Sequence, residues 1–145
     1  MGRVTDLAGQ RVYLDTNIFI YALEGHAAFA SVLAELFQSI DQGELQAATS
    51  ELTLAETLVK PFLDGSAERQ QAYQQALQSS AGLMLVPVSR AVLVEAARLR
   101  AAHGFRLPDA IHVATARLSA CATFLSNDKR LRPAGLTVMT LAELA

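Results

Sequence analysis

The chain has 145 residues, one domain's worth of polypeptide, and its 52% hydrophobic and 18% charged content supports a packed core and excludes a disordered or fibrous protein. No apolar run approaches the ~20 residues of a membrane span, and the opening stretch Met1-Gly2-Arg3-Val4-Thr5-Asp6 lacks the apolar segment of a secretory signal. A formal net charge of −2 excludes a protein that coats nucleic acid through a broadly basic surface, but not an enzyme that binds nucleic acid at one cleft.

In chain order, the first ten residues carry no motif. Arg11-Val12-Tyr13-Leu14-Asp15 reads as a strand ending in an acid. Residues 26–42 place Phe29, Val32, Leu33, Leu36, Phe37 and Ile40 at helical spacing, and Gly43 stops that helix. A short strand is expected over residues 45–49, a helix over 51–63, another over 66–80, and a strand over Leu83–Val86 behind Gly82. Residues 89–103 are helical with Gly104 as stop signal, and 107–121 form a helix with Pro108 in its first turn, where proline is tolerated. The single cysteine, Cys121, excludes an intramolecular disulfide and a cysteine zinc frame. Within Ser119-Ala120-Cys121-Ala122 it reads as a packed thiol near a helix end, and a cytoplasmic protein is the expectation. Residues 123–126 are a strand and 136–139 a weaker last one. No repeat, low-complexity tract or linker divides the chain, so residues 1–145 read as one domain. Strands alternating with helices predict an α/β fold, a three-layer α/β/α sandwich around a short, mostly parallel central sheet. Ligands of such sheets bind outside the carboxyl ends of the strands.

Two acids fall there: Asp15 ends the first strand, and Asp128 follows the strand at 123–126. Each residue type alone also fits a helix cap or a turn. Glu56 shares a face of its helix with Leu52, Val59 and Leu63 and so interrupts an apolar stripe. A buried carboxylate needs a partner, either a cation of the chain such as an arginine or a metal ion. Asp109 opens the helix that follows Pro108, where an acid is also favoured by the helix dipole. Val113, Ala116 and Ala120 continue its side of that helix, which points to packing there. Jointly the four acids form a plausible donor set for Mg²⁺ or Mn²⁺, which prefer carboxylate oxygens. Two such ions ~3.5–4 Å apart suit phosphodiester cleavage.

The segments Tyr13-Leu14-Asp15-Thr16-Asn17-Ile18, Ser50-Glu51-Leu52-Thr53-Leu54-Ala55-Glu56, Leu107-Pro108-Asp109-Ala110-Ile111-His112-Val113-Ala114-Thr115-Ala116 and Phe124-Leu125-Ser126-Asn127-Asp128 resemble the PIN-domain family, and within it the toxin ribonucleases of VapBC toxin–antitoxin pairs. The resemblance covers nearly the whole chain in the family's order. By position it implies that Asp15, Glu56, Asp109 and Asp128 are the acidic metal-site residues. Ser126 stands at a hydroxyl position that is often threonine, and Asn17 is expected to orient Asp15 or a water. It further implies a PIN-like fold, one or two Mg²⁺ or Mn²⁺ ions, and single-stranded or looped RNA cut by metal-activated water. Glu56 is then a ligand or a base. A small antitoxin as partner and a homodimer are implied too, with residues 26–42 and 89–103 as candidate dimer faces.

Arg106, Lys129, Arg130 and Arg132 lie beside these acids in sequence and are candidate RNA-phosphate contacts. His112, one turn beyond Asp109, reads as packing or as support for the site rather than a ligand, because the chain has three histidines and no paired motif. His103 beside Gly104 reads as a helix-end cation, His26 as an exposed helix-start residue, and Thr49 and Ser50 as caps of the Glu56 helix. A haloacid-dehalogenase-type phosphatase would carry a second Asp two residues after Asp15, where this chain has Asn17. A receiver domain would need an early acidic pair and a late lysine after a strand. The alternatives are a metal-dependent DNA nuclease or phosphatase using the same acids, and a non-catalytic PIN-like binding module.

Overall fold

Three consecutive apolar residues make Arg11–Leu14 a strand buried on both faces, and this strand, β1, lies at the centre of the sheet. The computed structural model describes residues 2–145, with the backbone alone at Pro133 and Ala134. Strand β1 pairs in parallel with β2 (Gln46–Ser50) on one side and β4 (Thr123–Leu125) on the other. Strands β3 (Leu83–Val86) and β5 (Thr137–Met139) extend the sheet outward to the order β3-β2-β1-β4-β5, every pairing parallel.

Side chains alternate across a strand, and here the alternation divides the core in two. Val12 and Leu14 of β1, Ala47 of β2 and Leu125 of β4 face a layer formed by α1 (Thr16–Glu24), α2 (Ala30–Asp41) and α7 (Leu141–Leu144). Tyr13, Ala48 and Phe124, each one residue out of phase with those, face α5 (Arg90–His103) and α6 (Leu107–Leu118). Helices α3 (Glu51–Leu63) and α4 (Ala67–Ala76) pack against each other beside β2. The three-layer α/β/α sandwich expected from the strand and helix alternation is therefore the fold, and its sheet is wholly parallel among the described residues.

The departures are local. The first ten residues do contribute to the fold: a 3₁₀ helix, Val4–Leu7, buries Val4 and Leu7 in the core. The helix expected over 66–80 ends at Ala76, because Leu77 leaves helical geometry to enter the core and Ser79 and Ser80 bond forward to Leu85 and Leu83. The helix expected over 107–121 ends at Leu118, where Ala120 takes a positive φ of 55° to turn the chain into β4. Cys121 is buried, as expected, and burial pushes its thiol up to about 11. Val32, Leu33, Leu36 and Ile40 of α2 are taken up by the protein's own core, while Ala34 and the half-buried Phe37 line an apolar cavity. No single helix among the described residues is long and apolar enough to cross a membrane.

Candidate active site

The sheet order reverses direction between β1 and β4, and crevices of parallel α/β sheets open at such a point. Asp15 leaves the carboxyl end of β1 and caps α1, its Oδ1 accepting from the Thr16 N–H at 2.8 Å. Its Oδ2 accepts from the Ser126 hydroxyl at 2.6 Å, and Ser126 Oγ in turn accepts the Asp128 N–H at 3.0 Å. Ser126 thus ties the chain ends of two neighbouring strands together. Of the two roles expected of Asn17, orienting Asp15 or a water, the first falls to Thr16 and Ser126, which hydrogen-bond Asp15. The Asn17 Oδ1 is buried and has no hydrogen-bond partner among the described residues.

Asp109 sits in the first turn of α6, which Pro108 starts. Burial first, then the charges of Asp15 and Asp128, raise its carboxyl above the ordinary value, with His112 and Arg130 opposing. Acids from two strand ends thus both act on one at a helix start. Asp128 is engaged by the chain itself. Arg130 donates to it through Nε at 2.9 Å, Nη2 at 2.7 Å and its backbone N–H at 3.0 Å, and these bonds hold the Asp128 carboxyl below its ordinary value.

Glu56 joins from α3, but not as the apolar stripe suggested. Val59 and Leu63 are 57% and 80% exposed, and α3 instead buries Thr53, Thr57 and Pro61. These small or compact side chains let the helix lie close to its neighbours, while Val59, Phe62 and Leu63 face outward. The partner of Glu56 is a histidine rather than an arginine: His112 Nε2 lies 2.5 Å from Oε1, and the Thr16 hydroxyl donates to the same oxygen at 2.7 Å. His112 is itself fixed from the sheet, with Nδ1 hydrogen-bonded to the Tyr13 hydroxyl at 2.6 Å, and that hydroxyl accepts the Ser50 N–H. Burial alone would lower the His112 pKa, but the Glu56 bond and the charges of Asp15, Glu56 and Asp109 together raise it. Burial would raise Glu56, and the His112 bond and charge outweigh it. His112 supports the site without facing solvent, as expected. Thr16 and Tyr13 were missed; the only sequence signal for Tyr13 was a buried tyrosine, whose hydroxyl requires a partner.

The candidate phosphate contacts separate. Arg106 and Arg130 line a cavity together with Asp109 and Asp128. Arg132 turns away to pair with Glu143 at 2.5 Å, and Lys129 does not line that cavity. Ser50 caps α3, whereas Thr49 bonds back to the Leu14 carbonyl. The largest apolar cavity lies elsewhere, between α1 and α2.

As the side chains stand, no three His, Cys, Asp or Glu residues among those described form a group able to hold a metal ion. The chemistry of the set nevertheless fits a hard divalent cation. The Asp109 carboxyl is disfavoured as a charge by burial and by Asp15 and Asp128, so a cation among these oxygens would relieve it, and Asp128 is paired meanwhile with the exposed Arg130.

A family model described as PIN domain matches residues 12–135. No curated protein matches the chain. Similar solved structures include a toxin–antitoxin complex from Klebsiella pneumoniae, 25% identical with a TM-score of 0.65 over 90% of this chain and 97% of that one. VapBC2 from Rickettsia felis is 18% identical, with a TM-score of 0.71 over 90% and 98% of the two chains. VapC20 from Mycobacterium tuberculosis, described as a sarcin–ricin loop cleaving toxin, is 18% identical, with a TM-score of 0.69 over 87% and 96%.

Proposed function

Because the chain belongs to the PIN domain family, we propose that it is a divalent-metal-dependent endoribonuclease of the cytoplasm and the toxin of a toxin–antitoxin pair. The carrying observation is that Asp15 and Asp128, at the carboxyl ends of β1 and β4 and bridged by Ser126, both act on the Asp109 carboxyl at the start of α6. RNA as substrate and an antitoxin as partner are carried over from the toxins whose folds this chain shares. The exposed Leu93 and Val94 of α5 favour a homodimer face on that helix.

Asp15, Asp109 and Asp128 would hold Mg²⁺ or Mn²⁺, one ion or two. When bound, such an ion offsets phosphate charge and makes a water acidic enough to attack at neutral pH. Ser126 and Thr16 hold the Asp15 oxygens in place. His112 holds Glu56, which remains one-third exposed and orients the attacking water or joins the ligand set. Arg130, 77% exposed, exchanges Asp128 for a substrate phosphate, and Arg106 binds phosphate beside it.

Asp15→Asn and Asp109→Asn should each lower Mn²⁺-dependent RNA cleavage by about 10²-fold or more while the protein stays folded. Cleavage at the wild-type rate by either variant, with contaminating nuclease excluded, overturns the assignment. Labelled RNA, DNA and a phosphomonoester compared under Mn²⁺ separate this reading from a DNA nuclease or phosphatase. The engagement of Asp128 by Arg130 and of Glu56 by His112 favours a second reading, a non-catalytic binding module. Calorimetry distinguishes it, since a module would show no saturable Mn²⁺ binding.

A further inference from the structure

The cavity between the end of α5, the start of α6 and the turn after β4 has a volume of about 250 Å³. Its walls combine three chemistries: the carboxylates of Asp109 and Asp128, the guanidinium groups of Arg106 and Arg130, and the aromatic pair His103 and Phe105. Phosphodiester chemistry accounts for the first two and leaves the third unexplained.

The two rings are stacked, with centroids 5.2 Å apart and planes at 25°. Phe105 is buried beneath while His103 is exposed, so the imidazole is backed on one face and open on the other. A histidine ending a helix is commonly a charge that suits the dipole. Here the loop is built more firmly than that role requires. Gly104 caps α5 in the left-handed region, φ 72°, which a Cβ would strain, and its N–H donates to the Arg100 carbonyl at 2.8 Å. Arg100 reaches back to donate through Nη1 to the Phe105 carbonyl at 2.7 Å. Both sides of the turn are thereby pinned, and the backbone that carries the two rings is fixed before any ligand arrives, which reduces the entropy lost on binding.

We infer that His103, backed by Phe105, is a stacking platform for one unpaired nucleobase of the RNA substrate, next to the phosphate held by Arg106. This rests on the nuclease reading above. A base within a duplex has both faces covered, so the platform selects an unpaired nucleotide. Every base offers a π-face, so stacking supplies affinity and position rather than base identity.

Labelled single-stranded RNA is titrated by fluorescence anisotropy in chelator, which prevents cleavage, and cleavage kinetics are then followed in Mn²⁺. His103→Ala should weaken RNA binding on the order of tenfold and raise KM with kcat little changed. His103→Phe should restore both, because the ring and not the charge carries the interaction. Mn²⁺ binding by calorimetry should be the same in all three proteins. Wild-type affinity and KM in His103→Ala, or no recovery in His103→Phe, overturns the platform while leaving the nuclease reading intact. A wild-type protein that neither binds nor cuts RNA overturns both.

Discussion

Tyr13 and His112 lie 99 positions apart in the chain, yet their side chains form the link that holds Glu56 to the sheet. His112→Ala would remove one of the two bonds of the buried Tyr13 hydroxyl, which keeps the Ser50 N–H, and leave Glu56 with only the Thr16 hydroxyl at that oxygen. A cost of roughly 2 kcal/mol is expected, below the figure for a fully buried pair because Glu56 is partly solvated. Tyr13→Phe removes one hydroxyl, strands the Ser50 N–H, and should cost about 1 kcal/mol. Denaturant titration checks both, and a His112→Ala variant as stable as wild type would show that the link contributes nothing. Asp109 behaves in the opposite sense, since its folded-state pKa is raised. The folded chain then binds that proton more tightly than the unfolded chain, and this contribution is complete below about pH 4 and lost as the pH rises through the folded-state value. Asp109→Asn keeps the side chain neutral throughout. In chelator at pH 7 the variant should be the more stable, even after losing the helix-dipole attraction, with the difference closing below about pH 4. Thermal unfolding across that range decides it; a variant that melts lower than wild type at pH 7 refutes the repulsion. The residue proposed to hold the metal is thus also one whose charge the metal-free fold disfavours.

At the scale of elements, the turn into β3 shows why a glycine stop signal reads reliably from sequence. A Cβ at Gly82 would stand 2.9 Å from the Ile40 carbonyl oxygen and 2.8 Å from its Cγ2. Because one of those atoms is backbone, α2 and β3 would have to move apart, and Gly82→Ala should cost about 1–3 kcal/mol in urea unfolding. An unchanged midpoint would mean that the α2–β3 approach is loose. Most strands and helices were legible in the same way, since periodicity, prolines and glycines act over a few residues. The face that α3 buries was not. Its apolar pattern pointed Leu52, Val59 and Leu63 inward, but close packing selected the compact side of the helix, Thr53, Thr57 and Pro61. Glu56 was therefore singled out from an apolar stripe that the fold does not bury.

For the whole molecule, the two halves of the core share the sheet, every central strand contributing alternate residues to both, and are linked beyond it by Thr16, Glu56 and His112. Neither half retains its floor if the other unfolds. The chain should accordingly melt as one domain, in a single calorimetric transition with equal calorimetric and van't Hoff enthalpies near about 100 kcal/mol. Two resolved transitions would divide it into independent units. The same sheet sets the site, since parallel strands deliver their carboxyl ends to one edge and so gather Asp15, Ser126 and Asp128.

The linear order of residues by itself determined the alternation of strand and helix, the parallel sheet, and the placing of acids where strands end and a helix begins. These follow from local periodicity and turn chemistry. Only the tertiary structure decided what those acids meet: Arg130 on Asp128, His112 and Thr16 on Glu56, Ser126 on Asp15, and a ring pair beside them. Ion pairs and hydrogen bonds act over a few ångströms, and which groups come that close depends on how distant segments pack.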